Sequence, residues 1–475
     1  MSLDSVATAD PYLVRNRGPW RSLVVLSLWL AGAATVLVCI VLYGRDIPLA
    51  EDWHMVPPLT GREPNLLAWA WEQNNEHRLL VQKLLYLGLL KLSGGDFRTG
   101  MVANLAIVSG ICLAMLLVAR RLRGGRTALA DAAFPLLLLH LGHWENLVWG
   151  WQIQFVVTFA LASSLLLVIV AERWPLRRGV ALAAGAVLVL LPLTGANGLL
   201  MAVFLAPWFA MGAWIYRQEM VARWIPEYLI ACACLALALS GLYLAGYRSP
   251  EWAPPNPGLL PTLITAGKFM AMALGPVGAH PRASIVLIPA VLAGLVATGV
   301  LVLLALRRHQ GPERFRAFGL LLFAAGSAAL ILAMGWGRAG WVPSFGMPDR
   351  YALMSVPTLC WAFFVWLLYG PSRLREWALA LFALGALLVL PLNVRAGLVW
   401  RDWYVAGMSS VERDLCRGMD LAELADRHVR VLMHWNRGTL EERMRMLEEA
   451  GLGPWAARGR CGAGGPLPAG PAAPS

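Results

Sequence analysis

Apolar runs close to the length that crosses a bilayer recur along this chain, and arginines stand in every second gap between them. The runs lie at 22–43, 99–119, 128–142, 155–172, 179–197, 198–216, 225–246, 284–306, 317–336, 351–369 and 377–394, about eleven in all. In lipid every backbone polar group must be satisfied within its own segment, so such runs have to be helices. With 58% hydrophobic residues, 14% charged residues and a mean hydropathy of +0.60, a soluble domain is excluded. The expected fold is all-α, a polytopic transmembrane helical bundle.

The arginines orient it. Arg15, Arg17 and Arg21 precede the first run, Arg120, Arg121, Arg123 and Arg126 follow the second, and Arg173, Arg177 and Arg178 follow the fourth. Arg217 with Arg223, then Arg307, Arg308, Arg314 and Arg316, then Arg373 with Arg375 continue the alternation. Basic short loops stay on the cytoplasmic side, so the N-terminus is expected inside and the C-terminus outside. The formal charge of +12 is then mainly a topology signal with some attraction for lipid headgroups, and nucleic acid is not an expected partner. The first run has the basic flank of a signal peptide but no small-x-small site after it, and reads as an uncleaved anchor.

Three regions follow: a cytoplasmic N-terminus (1–21), a membrane domain (22–399) and an extracytoplasmic helical tail (400–475) whose Gly/Pro/Ala end from Gly462 is expected to be disordered. The membrane domain carries a long outer loop at 44–98 and a second outer segment at 247–283. Leu79 to Ser93 and Leu260 to Ala279 are apolar but out of phase with the arginine alternation, so both read as helices lying in the outer interface with their lysines toward phosphates. Cys416 and Cys461 would both lie outside the membrane, where a disulfide can form.

On this topology the histidines and acids gather on one side. The loop from Tyr43 to Thr99 holds Glu51, Asp52, His54, Glu76, His77 and Arg78, and the later outer stretches hold His140, His143, Glu145, Lys268, Asp349 and Arg350. A transporter should set ionisable groups near the midplane on broken helices. An enzyme acting on a lipid-linked substrate at one surface should gather them at that surface, as here.

The order of several motifs resembles the GT-C-type membrane glycosyltransferases. They are a first span, an acid in a long outer loop, an interfacial helix closed by Leu92-Ser93-Gly94-Gly95-Asp96, and a second span ending in Ala119-Arg120-Arg121-Leu122-Arg123-Gly124-Gly125. Pro192 to Pro207 is similar to the short-turn helix pair of those enzymes, and Arg350-Tyr351-Ala352-Leu353-Met354-Ser355-Val356-Pro357 resembles their R-Y-x-L-x-x-x-P signature. The likeness runs from about Ser22 to Gly370. It implies a polyprenyl-phosphate sugar as donor, a glycan or lipid acceptor, and inverting transfer to a hydroxyl on the outer face of a bacterial-type cytoplasmic membrane.

Such a reaction needs a carboxylate to take the acceptor's proton and cations to stabilise the departing phosphate. Asp52 is the candidate base, with Glu51 the alternative. His77, Arg78, Arg350 and Lys268 are candidates for the donor phosphate, and Arg338 is a secondary one. His54, Glu76, His143, Trp144, Glu145, Gln152 and Asn197 are candidates for the sugar or acceptor. No cofactor is required. Trp53 and His54 follow Asp52 where a metal-binding D-x-D pair would continue, so a divalent metal is not favoured, although Glu51, Asp52 and His54 together could coordinate one. The competing expectations are a lipid-linked glycan flippase or transporter, and a noncatalytic membrane partner in envelope glycan assembly.

Overall fold

A computed structural model describes residues 20–459; Arg15, Arg17, Cys461 and the end from Gly462 lie outside the described residues. Among those described, nine helices are long and apolar enough to cross a membrane. We label the main helices α1 (Trp20–Tyr43), α2 (Leu80–Leu92), α3 (Arg98–Leu122), α4 (Ile153–Ala171), α5 (Arg178–Leu190), α6 (Ala196–Ile215), α7 (Trp224–Leu244), α8 (Leu259–Ala271), α9 (Pro281–Arg308), α10 (Gly311–Arg338), α11 (Ala352–Tyr369), α12 (Ser372–Cys416), α13 (Leu421–His428) and α14 (Arg437–Glu449). A two-stranded antiparallel hairpin, β1 (Gln73–Asn74) and β2 (His77–Arg78), is the one sheet among the described residues.

Local signals set the ends of these helices. α3 stops where Gly124 and Gly125 take positive φ (66° and 86°) and the Gly125 N–H returns to the Arg120 carbonyl at 2.9 Å. Only a residue without a Cβ adopts that turn cheaply. At the arginine-rich end of the bundle, Trp174, Trp208, Tyr216 and Phe315 form one aromatic knot, and the Trp208 indole donates to the Phe315 carbonyl at 2.9 Å.

About eleven spans are expected and nine are seen among the described residues: the run at 179–197 gives only the 13-residue α5 and a 3-10 turn (Leu191–Thr194), and two other runs also depart from expectation. The run at 128–142 is broken into a 3-10 turn (Leu129–Ala132), a short helix (Ala133–Leu138) and a second turn (Leu141–His143). Asp131 spends its carboxylate on the Ala128 N–H and Arg123, and Pro135 interrupts the donor series. This broken stretch follows α1, with Ser22 donating to Thr127 at 3.0 Å and Leu139 against Gly32. The second departure is α12. Its 45 residues span about 65 Å at ~1.5 Å per residue, roughly twice the hydrocarbon thickness. The expected break between the last span and the tail is therefore absent, because buried Tyr404, Met408, Val411 and Leu415 prolong the helical stripe beyond the lipid-facing part.

Beyond α12, helices α13 and α14 and the turn Gly453–Ala457 fold into a small cap on the 46–59 loop. Trp455 packs edge-on against Trp53 with ring centroids 5.8 Å apart, and the Leu432 carbonyl accepts from the Ala50 N–H at 2.8 Å. Cys416 is disulfide-bonded, while Cys461 is outside the described residues. Of the lysines expected to point outward from α2 and α8, Lys83 is instead buried and donates to the Trp69 and Glu72 carbonyls at 2.8 and 3.1 Å.

Candidate functional site

Four stretches far apart in sequence meet beside the cap. The first is the 3-10 turn Ala50–Met55, which opens at Ala50 with φ 48°. A left-handed alanine is strained, and the Leu432 carbonyl on the Ala50 N–H holds it there. The second is the β1–β2 hairpin, whose two-residue turn puts Asn75 at φ 52°, a conformation asparagine tolerates. Gln73 fixes the hairpin by exchanging amide hydrogen bonds with the Arg248 backbone. The third is Trp151 with Gln154 at the start of α4, and the fourth runs from Arg338 to Tyr351.

Together they enclose a cavity of about 310 Å³ lined by Glu51, Asn74, Asn75, Glu76, His77, Trp151, Gln154, Arg338 and Arg350, with Trp252, Trp341 and Phe345 on its walls. Buried polar atoms are normally paired. Here the Glu51 Oε2, the His77 Nδ1 and the Trp151 Nε1 are buried without a hydrogen-bond partner among the described residues. Burial pushes the Glu51 carboxyl above its usual range, against the pull of Arg350. Burial, helped by Arg338, pushes His77 down to about 4, so its imidazole is neutral at neutral pH. His77, on β2, thus offers a hydrogen bond, not the cationic phosphate contact expected from the sequence.

The cavity's cations are the two arginines. Arg350 donates from Nη1 to Glu145 Oε1 at 3.2 Å, its N–H meets Glu145 Oε2 at 2.6 Å, and its guanidinium lies over Trp149 and Tyr351. Arg338 reaches Glu76 Oε2 from Nη2 at 2.5 Å. A guanidinium has five N–H donors, so each keeps donors free after its carboxylate contact. Glu76 and Glu145 therefore act on the arginines that line the cavity, and Glu145 itself stands behind that lining.

Asp52 faces elsewhere. Successive residues of a 3-10 turn point about 120° apart, and while Glu51 lines the cavity, Asp52 is buried within the protein. Its Oδ1 accepts from the Tyr86 hydroxyl at 2.9 Å and its Oδ2 from the Leu49 N–H at 3.1 Å. Burial raises its pKa to about 7 against those hydrogen bonds. Asp52 thus caps the turn that aims Glu51.

Several other predicted residues are spent on packing. Arg78 donates to the Tyr243, Trp71 and Ala245 carbonyls, which ties the hairpin to α7 and leaves it out of the cavity. His54 packs between Trp151 and Trp435, turned toward the cap, and burial lowers its pKa to about 3. His143 contacts the Leu137 carbonyl at 2.8 Å and lies against His140, and Trp144 packs against Trp400 and Tyr404 on α12. Gln152 is buried beneath Gln154, which takes the lining position. Lys268 on α8 lines neither this cavity nor the one adjoining it. Glu51, Asp52 and His54 do not converge, and among the described residues no group of three or more His, Cys, Asp or Glu is placed to hold a metal ion.

A second cavity of about 560 Å³ shares Glu76, His77, Phe155, Arg338 and Tyr351 with the first and continues into apolar wall: Leu200, Leu330, Ala333, Met334 and Met354. Asn197 lies there, its Nδ2 on the Met354 sulfur at 2.6 Å. The two cavities adjoin through the shared residues, and the second is walled on its apolar side by α6 and α10. The aromatic wall was missed in the sequence. Trp252 and Phe345 are 58% and 76% exposed, and large aromatics in Gly/Pro-rich segments on the same side as the acids were the available signal.

No protein-family model matches this sequence, and no curated protein does. Among solved structures it is similar to the Archaeoglobus fulgidus oligosaccharyltransferase tethered with an acceptor peptide, at 13% identity and a TM-score of 0.42 over 89% of this chain. The chain spans 60% of the length of that structure's chain.

Proposed function

We propose that this chain is a membrane glycosyltransferase that moves a sugar from a polyprenyl-phosphate donor to an acceptor hydroxyl, with inversion, at the end of the bundle carrying the cap. The observation that carries this reading is the unpartnered Glu51 Oε2 in a chamber that also holds Arg338 and Arg350 and adjoins a second cavity with an apolar wall. An anionic headgroup on a long apolar chain matches that division.

Glu51 is the proposed base. Burial makes its carboxylate a stronger base than a solvated one, as removal of a hydroxyl proton requires. The acceptor oxygen attacks the anomeric carbon, its proton passes to Glu51, and the carbon–oxygen bond to phosphate breaks with its electron pair leaving on the phosphate. A single displacement inverts the anomeric centre. The free donors of Arg338 and Arg350 stabilise the charge growing on the phosphate. His77 and the Trp151 indole supply neutral hydrogen bonds to the sugar.

The test is Glu51→Gln in the full chain reconstituted with a radiolabelled polyprenyl-phosphate hexose. Transfer should fall by about 10²-fold or more while the donor still binds. Full transfer by this variant, or movement of the labelled lipid across the bilayer without transfer, would overturn the reading in favour of a scaffold or a flippase.

A further inference from the structure

Asp349 and Arg350 are adjacent, yet they line different cavities. Arg350 faces the polar chamber, while Asp349 faces a separate hollow of about 850 Å³ between α9 and α12. That hollow is lined by His280 and Arg282 at the start of α9, by Leu392, Arg395, Val399 and Trp400 on α12, and by the turn Pro276–Ala279 above. Asn393 fastens this turn to α12, donating to the Leu274 carbonyl at 2.7 Å and accepting from the Val277 N–H at 3.0 Å.

Arg282 and Arg395 are exposed, and among the described residues neither makes an ion pair or hydrogen bond through its guanidinium. Arg338 and Arg350 in the neighbouring chamber are both paired with glutamates. Among the described residues Asp349 is the one carboxylate lining the hollow, where Trp400 also lies. Two guanidinium groups against one carboxylate leave the site net positive. The backbone N–H groups of the first turn of α9 add to this, since Pro281 opens a helix whose early donors lack intrahelical partners.

One turn beyond Arg282 on α9, outside the hollow's lining, Ile285 and Val286 are 74% and 67% exposed, and Leu392 and Val399, which line the hollow on α12, are 53% and 63% exposed. A soluble anion would leave those side chains in water. We infer that this hollow binds the phosphate head of an anionic membrane lipid, with Arg282 and Arg395 on the phosphate and the acyl or prenyl chain lying along the exposed faces of α9 and α12. Bidentate N–H geometry suits phosphate oxygens, and the apolar rims suit hydrocarbon. The site is independent of the transfer reaction proposed above, and its test does not use that reaction.

The experiment replaces Val399 with photoreactive p-benzoylphenylalanine in the full chain, held in phosphatidylcholine nanodiscs doped with phosphatidylglycerol. Illumination should capture phosphatidylglycerol well above its share of the bilayer. Arg282→Gln/Arg395→Gln in the same background should cut that capture about tenfold, and Arg282→Gln alone should cut it partially. Millimolar inorganic phosphate should not compete. Capture in proportion to bilayer composition, capture indifferent to the arginines, or displacement by inorganic phosphate would each overturn the inference, the last in favour of a soluble-anion site. Gel filtration of each variant confirms that the fold is retained.

Discussion

The Tyr86 hydroxyl donates to Oδ1 of Asp52 at 2.9 Å, deep in the protein and away from the chamber that its neighbour Glu51 lines. This bond fixes a strained turn, and it separates two adjacent acids into a structural one and one with an unpartnered oxygen.

Asp52→Asn and Tyr86→Phe should therefore destabilise the protein. Tyr86→Phe removes the donor to Asp52 Oδ1, and Asp52→Asn sets an NH2 donor where one of two oxygens accepts, so each leaves a buried hydrogen bond unmade at about 1–3 kcal/mol. Thermal unfolding in detergent should show a lower Tm for both. Glu51→Gln should leave Tm unchanged or raised, because it removes a carboxyl whose charge burial disfavours. The opposite ranking would reverse the roles assigned to the two acids.

The pH dependence of stability separates the acids from the histidines. Asp52 has its pKa raised to about 7, so the folded state holds its proton more tightly than the unfolded chain does. Its contribution is thus full below about pH 4 and is lost as pH rises toward 7. Asp46, raised to about 6 by burial, acts in the same direction. A titration of Tm against pH should be flatter over that window in Asp52→Asn than in the parent.

His77 works with the other sign. Its folded pKa of about 4 lies below the ordinary histidine value, so its contribution is present above about pH 6.5 and is lost as pH falls toward 4. His54, at about 3, adds to this loss. His77→Gln should blunt the acid destabilisation measured by the same unfolding assay, and an unchanged acid limb would show that His77 is already charged in the folded state.

Glu145 grips Arg350 through both its backbone N–H and its guanidinium. Glu145→Ala should cost about 1–3 kcal/mol by leaving a partly buried cation less well paired. A double-mutant cycle with Arg350→Ala should return a coupling of about 0.5–3 kcal/mol, and additive losses would deny the pairing.

Gly150→Ala should disturb the whole turn from a distance. A Cβ at Gly150 would stand 2.2 Å from the Tyr86 hydroxyl, and one at Gly100 2.6 Å from the ring of Tyr86. Overpacking of this kind costs about 1–3 kcal/mol. Because the displaced hydroxyl is the one on Asp52, Gly150→Ala combined with Tyr86→Phe should be less damaging than the sum of the two single changes.

The segments able to cross a membrane could be read from local runs, because the length and apolarity of a helix are properties of consecutive residues. Where the readings of 128–142 and 377–394 departed from the structure, the deciding residues were polar or semi-polar side chains with distant partners: Asp131 on Arg123, Asn393 on the Leu274 carbonyl, and Tyr404 beneath the Arg45 N–H. The Glu51–Asp52 pair shows the same limit within a single turn. Both acids were candidates by position, but which of them meets a hydroxyl and which meets a cavity depends on Tyr86, on a separate helix.

The sequence alone determined that the chain is an all-helical bundle of apolar segments, with an arginine-rich end and an end rich in acids, histidines and tryptophans. Tertiary structure decided which of those polar groups share a chamber. The pairs that build it, Arg350 with Glu145 and Arg338 with Glu76, are 205 and 262 residues apart along the chain. Hydropathy acts over one helical run, whereas an ion pair forms only where packing brings two remote side chains within a few ångströms.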